Sequence, residues 1–199
     1  MLFAAEEPLT TARLADLCGV ERGAVEAALL ELEAALAGAA RVAVVGVGQE
    51  LHRDDGAGMR AARLLAGRPF SARGGGTAAP GPAAAVFLGG VAPENQTGAL
   101  RRFNPSHVVL IDAADLGRAP GTVELIPSAR IGGVTFSTHT LPLRFLARFL
   151  EESLGCRVVV VGIQPRNLGF GKGLSPEVEA ACRRLAKALE GLAPGAAGS

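Results

Sequence analysis

The sequence lacks a surplus of charge of either sign, and it lacks any long uninterrupted apolar run. Twenty Lys and Arg residues stand against nineteen Asp and Glu residues, so the formal net charge of the 199-residue chain is +1. This balance provides no basic surface for nucleic acid or for an anionic membrane. No segment reaches the roughly 18 consecutive apolar residues of a membrane-spanning helix. We therefore expect neither nucleic acid nor a membrane among the partners of this protein.

Cysteine is also scarce. The three cysteines, Cys18, Cys156 and Cys182, are odd in number, far apart and without a Cys-x-x-Cys pair. These features argue against a disulfide framework and against a structural zinc site. The first 20 residues contain no basic run followed by an apolar core, so no signal peptide is predicted. We expect a cytoplasmic protein with reduced, mostly packed thiols.

The first 40 residues differ in pattern from the rest of the chain. The segments TTARLADLCGV and ERGAVEAALLELEAAL predict two short helices around a turn at Gly19 and Val20, an arrangement that resembles a helix-turn-helix. Arg22 is the only basic residue of the second segment, against four glutamates, so a packing or protein-interaction appendage is favoured over DNA binding. The predicted organisation is an appendage at 1–40, a main domain at 41–192 and a flexible tail at 193–199.

Strands and helices alternate in the main domain. Apolar runs predict strands at VAVVGV, AAVFLGG, HVVLIDAAD and CRVVVVGI, with a further strand at GTVELIP whose alternating pattern suits a sheet edge. Helical periodicity lies between them, including a face formed by Leu143, Leu146, Phe149 and Leu150. This alternation predicts an α/β sandwich with a mostly parallel central sheet. Ligands of such folds bind at the carboxyl ends of the strands.

The segment VVGVGQELHRDDGAG, residues 44–58, is the most informative motif. A dinucleotide-binding loop needs Gly-x-Gly-x-x-Gly, but Gly46 and Gly48 are followed by Gln49, Glu50 and Leu51. No Gly-Lys-Ser/Thr sequence of a phosphate-binding loop is present. The two aspartates at the start of the following helix would also repel a pyrophosphate. The sequence therefore argues against nucleotide binding at this motif.

Two interpretations of the acidic residues remain. Asp54 is a candidate helix cap, Asp112 a candidate for a local turn at a strand end, and His139 a candidate capping or core histidine. Alternatively, Asp55, Asp112 and His139 surround one metal, since two carboxylates and an imidazole suit a first-row divalent ion such as nickel or zinc. Because the three residues come from different elements, their spacing does not decide between these interpretations.

Five motifs together resemble the hydrogenase maturation endopeptidases, which trim the C-terminal extension of the large subunit of nickel-iron hydrogenases. They are VVGVGQELHRDDGAG, GGVAPEN, LIDAADLG, STHTLPL and VGIQPRNLGFGKGLSPEV, within about residues 42–192, and they resemble most closely the branch that serves formate-hydrogenlyase-type enzymes. The fold that this resemblance implies is a three-layer α/β/α sandwich of the phosphorylase/hydrolase-like type. The chain departs from the family pattern at Gln49, where asparagine is usual, and at His52, for which a solvated loop histidine is favoured over an extra metal ligand.

The resemblance also implies a site. Asp55, Asp112 and His139 match the family's metal-binding and catalytic positions, and nickel is supplied by the precursor of the hydrogenase large subunit; zinc or cadmium is expected to occupy the same site in vitro. The nickel either polarises the scissile peptide or only marks a finished substrate while a carboxylate acts as general base. Asp115 is given a minor supporting role. The alternative to an enzyme is a metal- or partner-sensing protein on the same fold, with a helix-turn-helix-like module.

Overall fold

The computed structural model describes residues 22–66, 83–126, 135–136 and 143–192. Five helices and six strands alternate along these parts of the chain, with short 3-10 turns at Arg53–Gly56 and Pro93–Gln96. The helices are α1 (Arg22–Leu36), α2 (Ala57–Ala66), α3 (Thr97–Phe103), α4 (Leu143–Leu154) and α5 (Pro176–Leu192). The strands are β1 (Val42–Val47), β2 (Ala84–Gly90), β3 (His107–Asp115), β4 (Val123–Ile126), β5 (Thr135–Phe136) and β6 (Arg157–Ile163).

The strands form one mixed sheet in the order β2-β1-β3-β6-β4. Neighbours among the first four are parallel, whereas β4 runs antiparallel to β6 at the edge. The short β5 pairs antiparallel with the last residues of β3, Phe136 opposite Ala114 and Thr135 opposite Asp115. The sequence prediction of a mostly parallel sheet is confirmed, and the alternating segment GTVELIP does form an edge strand.

Each face of the sheet carries its own apolar layer, because successive side chains of a strand point to opposite faces. On one face, Val44 and Ile111 pack with α1, α2 and α5; on the other, Val45 and Leu110 pack with α3 and α4. The β3 strand is buried almost along its whole length, as expected for a central parallel strand. The three-layer α/β/α sandwich is confirmed.

Helix α1 packs into the first of these layers. Ala28, Leu32 and Leu36 are buried there on one side of the helix, while Leu30 on the other side is 66% exposed. The helix contacts β4 and α5 of the main domain. The first predicted helix, within residues 1–21, lies outside the described residues, as does the predicted tail at 193–199. The domain boundary at residue 40 stays a prediction.

Within the described residues, no helix combines the length and the apolar composition that crossing a membrane requires.

Candidate active site

Buried polar side chains of the described residues gather at one edge of the sheet. This edge is formed by the carboxyl ends of the parallel strands, where Asp54 and Asp55 follow β1 and Gln164 follows β6. Thr122 lies there because it precedes β4, which runs the opposite way. Among the residues that the structure describes, the buried polar ones are Asp54, Asp55, Asp112, Thr122 and Gln164, all less than 9% exposed. This edge is therefore the candidate site.

Glycines bring the chain after β1 back against its own strand. Gly48 has φ +127°, and a Cβ there would lie 1.9 Å from the backbone oxygen of Asp55. Gly58, at the start of α2, lies so close to β3 that a Cβ would stand 2.0 Å from the carbonyl oxygen of Ile111. Side chains at these two positions would push the loop and the helix away from the sheet. The glycines of the first motif thus allow close packing of protein backbone rather than of a phosphate.

Asp55 is 1% exposed and is oriented by the loop that follows β1. The backbone N–H of Gln49 donates to its Oδ2 atom over 2.9 Å, and its own N–H donates to the carbonyl of His52 over 3.1 Å. Gln49, which replaces the family's usual asparagine, makes this contact through its backbone. The longer side chain therefore leaves the support of Asp55 intact.

Asp112 is fully buried near the carboxyl end of β3. Its Cα lies opposite Gly162 of β6, one residue beyond the last pair that β3 forms with β1, Ile111 with Gly46. The backbone N–H of Ala113 donates to Asp112 Oδ1 over 2.8 Å. By strand alternation its side chain shares the face of Leu110 and Ala114. The turn that carries Asp55 contacts β3, so the two aspartates lie at the same edge.

His139 lies outside the described residues, which end before it at Phe136 and resume after it at Leu143. On one side Phe136 pairs with Ala114, two residues after Asp112. On the other side Leu143 starts α4 and packs into the layer on the Leu110 face. Because β6 follows α4 and begins opposite His107, α4 runs from the carboxyl edge to the amino edge of the sheet. In the described residues, no group of three acidic, histidine or cysteine side chains is arranged to hold a metal.

Asp54 does not cap the helix that follows it, which corrects the sequence prediction. The Arg53–Gly56 turn has no side-chain cap, and both Asp54 carboxylate oxygens accept hydrogen bonds from a loop more than 100 residues away. The donors are the backbone N–H groups of Arg166, Asn167 and Ser175, at 2.6 to 2.9 Å, and the Ser175 hydroxyl at 2.7 Å. A buried carboxylate can accept hydrogen bonds from N–H groups other than those of its own helix. Here the donors belong to the loop after β6.

Gln164 is a second residue whose role the sequence did not reveal. Its Oε1 accepts the backbone N–H groups of Leu116 and Arg118, and its Nε2 donates to Asp115 and to the carbonyl of Pro165. Asp115 itself is exposed and also accepts the N–H of Gly117. Gln164 therefore orders the loop that follows the end of β3 at Asp115. A polar residue directly after a buried parallel strand was the available signal.

In the part of the chain that the structure describes, two further histidines and two cysteines remain, and neither cysteine is a nucleophile at this edge. His52 stands edge-on to Phe170, with ring centroids 5.9 Å apart, and His107 lies at the amino end of β3, where burial lowers its pKa. Burial raises the pKa of the Cys182 thiol to about 12 and also raises that of Cys156. Both cysteines are free and buried, as the sequence predicts, and a thiol with a raised pKa is a poor nucleophile.

Comparison with known proteins identifies relatives of this chain. The family model described as hydrogenase maturation protease matches residues 77–192. The hydrogenase 3 maturation protease of Escherichia coli K12 is 34% identical over 146 residues, which cover 73% of this chain and 86% of that protein. A putative hydrogenase maturation protease of Methanocaldococcus jannaschii is 32% identical over 100 residues, 50% of this chain and 59% of that protein.

Solved structures give the same result. The crystal structure of a NiFe hydrogenase maturation protease from Thermococcus kodakarensis superposes with a TM-score of 0.69 at 27% identity, covering 81% of this chain and 97% of that one. The solution structure of an endopeptidase from Escherichia coli gives a TM-score of 0.64 at 32% identity, with 76% and 90% covered.

Proposed function

The chain belongs to the hydrogenase maturation protease family and is an endopeptidase, and from this premise we propose its substrate and the way it is recognised. The proposed substrate is the large-subunit precursor of a nickel-iron hydrogenase, from which the enzyme removes a C-terminal extension. The proposed recognition element is the nickel ion that the precursor already carries. Asp55, Asp112 and His139 are the proposed residues that receive it.

One observation supports this proposal most strongly. Two carboxylates from different elements, Asp55 in the turn after β1 and Asp112 in β3, are buried at the same edge of the sheet, at 1% and 0% exposure. Burying ionised groups is unfavourable unless they are hydrogen-bonded or bind a cation, so such pairs are concentrated at functional sites. Two carboxylates joined by an imidazole form the mixed oxygen and nitrogen donor set that suits a first-row divalent ion. Asp55 and Asp112 would supply the oxygen donors of this set, and His139 is proposed to supply the nitrogen.

The chain holds both carboxylates by backbone groups. The N–H of Gln49 fixes one oxygen of Asp55, and the N–H of Ala113 fixes one oxygen of Asp112. Backbone donors of packed elements restrict the directions that these carboxylates can take, which prepares them for a ligand before it arrives. When it is bound with the precursor, the nickel either polarises the scissile carbonyl or a water, or serves only to position the peptide. In the second case one of the two carboxylates acts as general base.

The test uses the large-subunit precursor in two forms, purified with and without nickel. Each form is incubated with the enzyme, and the mass of the precursor is followed with time. Loss of a short C-terminal peptide from the nickel-loaded form alone is the expected result. Cleavage of both forms would disprove nickel as the recognition element while keeping the peptidase. Failure to cleave either form of a confirmed partner would overturn the proposed substrate.

We propose that this reaction takes place in the cytoplasm, as the sequence predicts. The free, buried thiols of Cys156 and Cys182 are compatible with a reducing compartment. Fractionation of cells followed by immunodetection tests this location; recovery with a secreted fraction would contradict it.

A further inference from the structure

Asp54 and Asp55 are adjacent and both buried, but their side chains contact different parts of the chain. Asp55 is supported by Gln49, within its own loop. All the hydrogen bonds that the Asp54 carboxylate accepts come from residues 166–175, the loop that joins β6 to α5. Asp54 therefore contributes to the arrangement of that loop rather than to the orientation of the neighbouring carboxylate.

Backbone hydrogen bonds continue this junction. The Asp54 N–H donates to the carbonyl of Asn167, and the Arg53 N–H to that of Gly171, at 3.1 and 3.0 Å. The Gly171 N–H donates in return to the carbonyl of Leu51 over 2.8 Å. Residues 51–54 and 167–171 thus lie side by side at the carboxyl edge. Because the Asp54 carboxylate is fully buried, its bonds are shielded from competition with water.

The loop held in this way presents side chains to solvent beside the candidate site. Leu168 is 43% exposed and Phe170 is 78% exposed, with the Phe170 ring against His52. Gly173 and Leu174 of the same loop line a cleft of about 380 Å³, whose other lining residues are Glu50, Arg53, Gly56, Arg60 and Glu179. An apolar side chain held exposed on an ordered loop is suited to contact with another polypeptide.

We propose that Asp54 is a positioning residue: its carboxylate holds residues 166–175 in the arrangement that the precursor contacts. This inference rests on the proposed function, because it assigns the precursor to the loop. It separates the two adjacent aspartates by role. Asp55 is proposed to bind the nickel of the precursor, whereas Asp54 affects substrate binding through its contacts with Arg166, Asn167 and Ser175.

The test substitutes Asp54→Asn, which keeps the size of the side chain. An asparagine has one acceptor oxygen, so its NH₂ group must face at least one of the loop donors. We expect KM for the nickel-loaded precursor to rise about fivefold or more while kcat changes by less than about twofold. In the free protein, amide hydrogen exchange of Arg166, Asn167 and Ser175 should become at least about tenfold faster. Ser175→Ala, which removes one donor and keeps the carboxylate, should shift both quantities in the same direction by less.

Each other outcome overturns the inference. A fall in kcat at constant KM would place Asp54 in the chemistry itself. Faster exchange of the loop with both kinetic constants unchanged would make the junction structural only. If Asp54→Asn does not fold, Ser175→Ala decides: faster exchange with an unchanged KM contradicts the proposal. The exchange measurement needs no substrate, so failure of the wild-type enzyme to cleave the precursor would be recognised separately, as a failure of the proposed function.

Discussion

The two edges of the sheet are built from the same strands but differ in how they treat polar groups. At the amino edge, Ser106 and Arg41 are only half-buried: the Ser106 hydroxyl accepts the N–H groups of Ala40 and Arg41, and the Arg41 guanidinium lies 4.4 Å from the centre of the Phe103 ring. At the carboxyl edge, the side chains of Asp54, Asp55 and Asp112 are buried, at no more than 1% exposure. Polar side chains at the amino edge therefore stay half in contact with solvent, whereas the acidic side chains at the carboxyl edge are completely buried.

This contrast has an energetic reason. Removing an ionised carboxylate from water costs several kcal/mol before its partners compensate. The interior of the sheet avoids this cost with valine, leucine and isoleucine on both faces. Concentration of buried carboxylates at one edge therefore indicates function at that edge, and substitutions at the two kinds of position should separate activity from stability.

The largest expected effect is on activity, from substitution of the two candidate ligands. Asp55→Asn and Asp112→Asn keep the shape of the side chain and remove its charge. Each should lower the rate of precursor processing on the order of 100-fold or more, because an electrostatic contact to the reacting centre is lost. Mass spectrometry of the precursor measures the rate, and circular dichroism confirms the fold.

Asp115→Asn is the matched control for these variants, since Asp115 follows Asp112 by three residues but is exposed. It should process the precursor at a rate close to that of the wild type. Equal losses of processing rate in all three variants would contradict the claim that the buried carboxylates at this edge matter more for activity than the exposed one.

The next effect concerns stability alone and tests the packing of the N-terminal helix. Leu32 of α1 is fully buried against the main domain, so Leu32→Ala should reduce the free energy of unfolding by about 2–5 kcal/mol. Leu30→Ala, at a position 66% exposed on the same helix, should change it by less than about 0.5 kcal/mol. Urea denaturation measures both. Equal, small effects would mean that the helix does not belong to the cooperative core.

A smaller effect with a defined pH dependence is expected at Glu179. Hydrogen bonding to Arg60 lowers the pKa of Glu179 below its ordinary value of 4.5, with a further contribution from Arg183. A carboxylate with a lowered folded-state pKa stabilises the protein above its unfolded-state pKa and loses this contribution as the pH falls through the folded-state value. Glu179→Gln should therefore lower the free energy of unfolding by up to about 1 kcal/mol at pH 7.

The difference in the free energy of unfolding between Glu179→Gln and the wild type should shrink as the pH is lowered below 4.5. The wild-type carboxylate is then protonated and, like glutamine, carries no charge. Denaturation curves at several pH values measure this convergence. A difference that stayed constant down to the most acidic condition would assign the effect to packing instead of charge.

The smallest effect is expected in thiol chemistry. In a Cys18→Ser background the two remaining cysteines are buried, and the pKa of Cys182 is raised to about 12. Neither should react appreciably with a thiol reagent at pH 8 in the native protein, and both should react after unfolding in urea. Rapid labelling of the folded protein would show that the apolar layers open more readily than their burial implies.

The sequence predicted the layers of this fold because apolar runs indicate the strands and helical periodicity indicates the helices between them. The parallel-sheet rule also placed Asp55 and Asp112 at the same edge, since both follow or end parallel strands. The partners of Asp54 were not predictable in this way, because Arg166, Asn167 and Ser175 are more than 100 residues distant along the chain. Local sequence indicated a helix cap, and the tertiary contact replaced it.

Helix α1 illustrates the same limit. The sequence predicted a helix over this segment, and Leu32 and Leu36 on one side of it are buried. The period of a helix shows which side is apolar but not which surface that side meets, so contact with β4 and α5 emerged only from the structure. The role of His139 stays a prediction.

The most direct test of the central claim is the location of a metal ion in crystals of the protein soaked with cadmium. Anomalous difference maps would show the ion without any assumption about the reaction. We expect a peak bound by Asp55, Asp112 and His139, and loss of that peak in Asp112→Asn crystals. A peak elsewhere on the protein, or none at the carboxyl edge under saturating metal, would contradict the assignment of these three residues to one site.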